Sequence, residues 1–310
     1  MKNVLVVYYS QSGQLLEIAK NVTQELEDAP GVNLSFYEIK LKQPFPFPWN
    51  RKNFYNAFPE TFRQVPDDLE DLTNPLLSQK YDLVILAYQV WYLTPSIPIN
   101  SFLMSEEGVS LIKDTPVLTL IGCRNMWIMA QEKVKKLILE ARGRLVGNIA
   151  LVDRHINHIS VITIIHWMFT GKKTRYLGIF PKPGVAQNDI DRASRFGPSI
   201  LRCLLNDEFD NLQEKLLDKM AVRIKPFLVV MDKRANFLFG KWSKLISTKG
   251  EKNSQSRRPW IKLFNIYLVF AIWVIAPIVF LLFLLTFPLR WGSIKKDKIY
   301  YSSVSYRIKN

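Results

Sequence analysis

Three short stretches carry residue types and spacings that could do chemistry. Ser10-Gln11-Ser12-Gly13-Gln14 follows an apolar run and precedes a helical repeat. Small hydroxyl residues and a glycine at such a junction let backbone N–H groups and the helix N-terminus hold a phosphate. The stretch is neither a Walker A motif nor a GxGxxG fingerprint, and a serine beside a helix start is also an ordinary cap. The second stretch is Gln89-Val90-Trp91-Tyr92-Leu93-Thr94-Pro95, and the third is Gly122-Cys123-Arg124-Asn125-Met126-Trp127. Both set aromatic side chains among polar ones, where a planar ligand would sit.

All three histidines, His155, His158 and His166, fall within residues 153–186. Asp153 is the one carboxylate close by, so neither a ligand set nor its supporting shell is evident and no metal is expected. Imidazoles titrate near neutrality, which makes His155 and His158 candidates for proton transfer. Structural hydrogen bonding is the competing reading. The two cysteines, Cys123 and Cys203, form no disulfide framework and read as small buried hydrophobes. Only Lys2 precedes the short apolar run Val4–Tyr9, which is not a signal-peptide pattern. The N-terminal domain is therefore expected in a reducing cytoplasm.

The elements that must position these stretches alternate. Residues 3–8, 33–39, 82–88, 116–122 and 145–152 read as strands, several of them short unbroken apolar runs of the buried parallel type. Leu15, Leu16, Ile18, Ala19, Val22 and Leu26 recur at helical spacing, as do Val134, Leu137 and Ile138 within 128–141. A further helix is expected from an Asn188 cap to about Leu205. This alternation predicts an α/β fold with a parallel sheet covered on both faces. Its ligand belongs at the carboxyl ends of the strands, where the three stretches lie.

Charge divides the chain. The net charge is +15. Residues 1–150 hold 15 basic and 16 acidic side chains, a net of −1, and residues 151–310 hold 27 and 11, a net of +16. Residues 263–289 contain no charge at all, and about 20 apolar residues cross a bilayer. Basic residues and the indoles of Trp260 and Trp291 flank this segment, as at membrane interfaces. Pro277 leaves two topologies open, one kinked span or a re-entrant hairpin turning at the proline. Residues 207–246 read as basic amphipathic helices, either interfacial or on the domain surface. Residues 247–262 read as a linker and 290–310 as a basic tail. No nucleic-acid motif is present, so the charge reads as a grip on anionic lipid headgroups. Between the second and third strands, residues 43–66 insert seven aromatics and five prolines, a wall for a greasy pocket or a local satellite core.

YYSQSGQLLEIA resembles the phosphate loop of flavodoxin-like flavoproteins, and YDLVILAYQVWYLTPSIPINSFL resembles their third strand and flavin-stacking loop. The resemblance implies a doubly wound five-stranded sheet of order 2-1-3-4-5 in a domain of residues 1–206, with bound FMN. It implies that Ser10, Gln11, Ser12, Gly13 and Gln14 hold the phosphate and that Gln89, Val90, Trp91, Tyr92 and Thr94 flank the ring. Gly122, Cys123, Arg124 and Asn125 would form the other wall. Three positions depart from the pattern: Leu15 stands for the usual Thr, Gln89 for Pro and Tyr92 for the second Trp. The insertions at 43–66 and 153–186 and the apolar tail are similar to one branch, the dialkylresorcinol condensing enzymes. That branch implies a membrane-attached aromatase-type oxidoreductase at the cytoplasmic face of the inner membrane, turning a cyclic alkyl 1,3-diketone into a dialkylresorcinol. Arg124 would stabilise an enolate, and His155 or His158 would remove the proton. Its implied partners are a hydrophobic substrate, a ketosynthase and lipid, with a second copy of the chain as a further candidate. A membrane-bound quinone reductase or electron carrier is the alternative on the same site.

Overall fold

A computed structural model describes residues 1–70 and 72–307. Its centre is a sheet of β1 (Lys2–Tyr8), β2 (Val32–Glu38), β3 (Leu83–Tyr88), β4 (Pro116–Cys123) and β5 (Arg144–Val152). All pairs are parallel and the order is 2-1-3-4-5, as the flavodoxin-like resemblance implies. Every residue of β3 is buried, because helices cover both faces and leave no polar side for the strand.

On one face, α1 (Gln14–Glu27) packs Leu15, Ile18, Ala19, Val22 and Leu26 on Val4 and Val6 of β1. The helix begins at Gly13, whose φ of 81° is the left-handed conformation that glycine takes freely. The aromatic insertion forms α2 (Arg51–Asn56) and α3 (Phe58–Phe62). Then α4 (Ile97–Met104), α5 (Glu106–Ile112) and α6 (Ile128–Glu140) follow, with Ile99, Ile112 and Val134 on the opposite face of the sheet.

After β5 come α7 (Asn157–Thr170), α8 (Gln187–Asp191) and α9 (Gly197–Asn206). The expected Asn188 cap is not one: α8 starts after Ala186, and a tighter turn separates it from α9. Pro198 falls in the first turn of α9, where its missing N–H costs nothing. The core does not stop at residue 206 either. In α10 (Leu212–Asp218), Leu212 and Leu216 are fully buried, and the Asn148 N–H donates to Gln213 Oε1 at 2.7 Å. The Ala150 N–H donates to the Ala221 carbonyl at 2.8 Å, so this segment covers the free edge of β5.

The last third is helical. After α11 (Pro226–Ser247), one continuous helix runs from Gln255 to Thr286. It comprises α12 (Arg258–Phe270), a wide turn at Ala271–Ile275 and α13 (Ala276–Thr286). The hairpin at Pro277 is thereby corrected. The wide turn sits one turn before Pro277 and opens the ladder where the ring would meet a carbonyl. The linker is also shorter than expected, because Arg257 is buried with Glu60 and its Nε–H donates to the Gly250 carbonyl. Nor is 290–310 a free tail, up to the limit of description: α14 (Trp291–Ser302) buries Tyr301 in the core, and Lys135 Nζ donates to the Ser305 carbonyl at 2.9 Å. Residues 308–310 lie outside the described residues.

Candidate functional site

The three chemically suggestive loops meet at the carboxyl edge of the sheet around a cavity of about 810 Å³. Gln11, Ser12 and Gln14 line it from the first loop, Gln89 to Tyr92 from the second, and Gly122 to Asn125 from the third. Ser10, Gly13 and Thr94 lie outside the lining. Ser10 Oγ accepts the Leu16 N–H at 3.3 Å and so serves helix α1. Buried Thr94 Oγ1 receives Lys133 Nζ at 2.6 Å.

The second loop is a hairpin in which Val90–Trp91 pairs antiparallel with Thr94–Pro95. Its two turn residues, Tyr92 (φ 49°) and Leu93 (φ 62°), are both left-handed. Such turns favour Asn and Gly, and each side chain here costs on the order of 1 kcal/mol or more. Packing holds the strain. The Tyr92 hydroxyl donates to the Phe54 carbonyl at 2.7 Å, and Leu93 is buried with Phe58 and Phe239. Trp91 is caged by Phe45 at 5.1 Å, Trp49 at 5.2 Å and Tyr9 at 6.1 Å between ring centroids.

The aromatic insertion therefore does both things weighed for it. Phe58 and Phe62 build a satellite core, while Phe47, Trp49, Phe54 and Tyr55 wall the cavity. The Trp49 indole N–H donates to Gln11 Oε1 at 2.9 Å, and Gln11 Nε2 donates to the Pro46 carbonyl at 3.2 Å. These bonds tie the insertion to the first loop. Gln14 is fixed from the other side by two bonds of 3.1 Å with the backbone of Val185. A methyl group on neighbouring Gly184 would lie 2.7 Å from both Gln14 Oε1 and the Trp167 ring.

In the third loop the Arg124 guanidinium donates to Asn157 Oδ1 at 2.8 Å, and Asn125 Nδ2 donates to the same oxygen at 3.0 Å. Burial lowers the Arg124 pKa, with Asp153 and Cys123 opposing it. Burial also raises the Cys123 thiol pKa, so this cysteine is a neutral wall and not a thiolate. Two lining amides are incompletely paired: Gln89 Nε2 and Asn125 Oδ1 are buried without a hydrogen-bond partner among the described residues. An unmet buried donor or acceptor costs about 1–3 kcal/mol. A ligand offering one acceptor and one donor would recover it. The lining contains Arg124, Lys233 and Arg234 but, among the described residues, no carboxylate. Lys233 is paired with Asp297 at 2.7 Å. The site thus favours a flat ligand with an anionic group.

Neither His155 nor His158 lines this cavity. His155 is exposed, because its segment is turned by an N–H donation to Asp153 Oδ1 at 2.9 Å. His158 packs tilted against Trp273 with ring centroids 5.0 Å apart, and its Nε2 lies 3.0 Å from the Ile272 carbonyl. That acceptor is in the opened turn before Pro277, so the imidazole serves a backbone group of the apolar helix. The structure thus brings neither imidazole into the cavity lining, where a base was expected.

The far end of the cavity was not legible in the sequence. It is built by Val161, Ile164 and Ile165 of α7, Ala235 and Leu238 of α11, and Leu268, Ile272, Ile275 and Val279 of the apolar helix. One space therefore joins the polar loops to the most apolar segment of the chain. Behind it, Asp232 of α11 is wholly buried, and its Oδ2 accepts the Ile128 and Met129 N–H groups at 2.9 and 3.3 Å. Burial pushes its carboxyl up to about 7, against those bonds and Lys133. Burial likewise lowers Lys133 to about 8.

No protein-family model and no curated protein matches the chain. Solved structures with similarity include a candidate flavoprotein from Bacteroides eggerthii, at 19% identity over 50% of this chain and 91% of that one, TM-score 0.39. A flavoprotein in complex with FMN from Lactobacillus acidophilus has 17% identity over 48% and 92%, TM-score 0.37. The two-electron reduced flavodoxin of Megasphaera elsdenii has 14% identity over 50% and 89%, TM-score 0.31.

Proposed function

We propose that this chain is an FMN-dependent oxidoreductase that works at a membrane surface on a hydrophobic ring substrate. The observation that carries the reading is the single cavity running from the flavodoxin-type loops to the apolar helix. The residues present fit FMN at the loop end. Trp91 offers a caged aromatic wall, Gln89 and Asn125 leave a donor and an acceptor unmet, and the start of α1 suits a phosphate. When bound, FMN supplies an acceptor for a hydride.

The substrate proposed is a cyclic alkyl 1,3-diketone, and the product a dialkylresorcinol. Alkyl chains lie along α7 and the apolar helix, where each buried CH₂ contributes roughly 0.8 kcal/mol. Arg124, held by Asn157, stabilises the oxygen of the enolate. Such diketones enolise readily, so the cation lowers the cost of proton loss to solvent and no lining base is required. The aromatic cage excludes water from the face on which oxidation occurs.

The test is a single turnover. Oxidised, FMN-loaded protein is mixed anaerobically with a dialkyl-substituted cyclohexane-1,3-dione. Bleaching of the flavin with stoichiometric resorcinol is expected. No bleaching with diketone, but NAD(P)H-driven reduction of a quinone, would assign the same cavity to a membrane quinone reductase instead.

A further inference from the structure

The apolar helix is held to the globular domain along its whole length. Near its start, Arg257 is paired with Glu60, both buried, and the Phe264 ring stacks on Phe58 with centroids 3.8 Å apart. At its middle, His158 meets Trp273 and the Ile272 carbonyl. Near its end, Phe227 of α11 packs against Phe280 at 4.8 Å and Phe283 at 5.6 Å. The chain then returns at once: Asp297 accepts from Lys233, and the Tyr300 hydroxyl donates to Glu132 Oε2 at 2.6 Å.

These contacts fix direction. Phe239 of α11 packs on Phe264 and Phe227 packs on Phe280, so α11 and the apolar helix run antiparallel, side by side. Asp232, Lys233 and Arg234 fall between those two levels, beside the middle of the apolar helix. The helix has 32 residues, about 48 Å at 1.5 Å per residue, against a hydrocarbon core of about 30 Å. If it stood upright across a bilayer, it would carry those charges and the domain core to the midplane. An exposed charge such as Arg234 costs on the order of 3 kcal/mol there.

The outward face is nevertheless strongly apolar. Ile266 is 59% exposed, Leu281 60% and Leu285 77%. Exposed cationic side chains lie on this helix and on the helices next to it in the chain, among them Arg258 and Lys262, Lys241 and Lys244 of α11, and Lys295 of α14. Ile165 and Leu238 line the cavity and are themselves 46% and 38% exposed, so the cavity reaches the surface beside this face.

We infer that the apolar helix does not cross the membrane but lies in the plane of one anionic leaflet, with the cavity mouth opening into that leaflet. The occupant of the exposed face is phospholipid: acyl chains meet the row from Leu263 to Leu285, and headgroup phosphates meet the exposed lysines and arginines. The inference rests on the membrane attachment proposed above but not on the flavin chemistry.

The test places nitroxide labels on the full chain at Leu263→Cys, Val274→Cys and Leu285→Cys, one at a time. The protein is bound to vesicles of equal parts phosphatidylcholine and phosphatidylglycerol, and the unsubstituted chain gives the labelling background. An in-plane helix gives the same depth at all three positions. A crossing helix gives its greatest depth at Val274 and overturns the inference while attachment stands. Sidedness is read separately with Gln255→Cys and Lys295→Cys and a membrane-impermeant maleimide. Both ends react from one side if the helix lies flat, and protection of either end alone overturns the inference. If the chain does not float with these vesicles, attachment itself fails. If the labels show spin–spin coupling in lipid-free solution, a second copy is the occupant and the lipid assignment is overturned.

Discussion

The Glu60–Arg257 pair anchors the start of the helix whose middle walls the cavity. Both side chains are almost fully buried, at 7% and 6% exposure, and the pair joins α3 of the aromatic insertion to the first turn of the apolar helix. Glu60→Ala removes one partner and leaves a guanidinium in an apolar setting with the Gly250 carbonyl as its remaining acceptor. Breaking a buried pair in this way costs about 3–5 kcal/mol, most of it the stranded charge. At 1.4 kcal/mol per decade, the docking equilibrium of the helix start falls by a factor on the order of hundreds to thousands. The assay is tryptic cleavage at Lys249 and Lys252, which reads the open population when closing outpaces cleavage. Glu60→Ala is expected to be cut at least on the order of 100-fold faster than wild type. The double variant Glu60→Leu, Arg257→Met strands no charge and is expected to return close to the wild-type rate. Wild-type cleavage in Glu60→Ala, or a double variant as labile as the single one, would refute the reasoning.

Other perturbations act on the site and its support. Asp232 has a folded pKa raised to about 7 from 3.8, so stability present below about pH 4 is lost as pH rises to about 7, by about 1.4 kcal/mol per unit. Asp232→Asn lacks that loss, and the difference between variant and wild-type urea midpoints should grow from pH 4 to 7; a constant difference would count against it. Leu93→Gly relieves a left-handed side chain, worth about 1 kcal/mol, but removes a buried leucine, worth about 2–5 kcal/mol. A net loss of stability of about 1–4 kcal/mol is expected in denaturant unfolding, and a stabilised variant would show that the turn is strained beyond its packing. Gln89→Leu removes an unmet buried donor, so flavin-free protein should gain stability while FMN affinity falls roughly tenfold. Loss of stability in the flavin-free variant would mean the amide is already satisfied.

The sheet was legible because several strands are short apolar runs, residues 33–39 alternate, and the helix after the first strand repeats at helical spacing. Val4–Tyr8, Leu83–Tyr88 and the stripe from Leu15 to Leu26 mark buried strands and a covering helix, while the strand order came from the flavodoxin-like resemblance. The three loops were legible for the same reason, since ligands gather where parallel strands end. Partnership across long separations was not. Nothing local to Glu60 points to Arg257, and nothing in the His158 segment says that its imidazole serves the Ile272 carbonyl. A histidine beside a candidate site reads as a base until the apolar helix is seen packed against it. The same holds for the far wall of the cavity. A charge-free run announces membrane, but only the contacts of Phe264, Trp273 and Phe280 show that it lies on the domain. The tail was misjudged because its lysines are exposed while Tyr301, in the same helix, is buried.

The central claim is that the loop end of the cavity binds FMN against Trp91. It is tested most directly by titrating FMN with the detergent-solubilised full chain while following flavin fluorescence and visible absorption. Saturable one-to-one quenching with a shifted flavin spectrum is predicted, and Trp91→Ala should weaken it roughly tenfold through the lost aromatic contact. Free-flavin fluorescence and an unshifted spectrum at saturating protein would contradict the account.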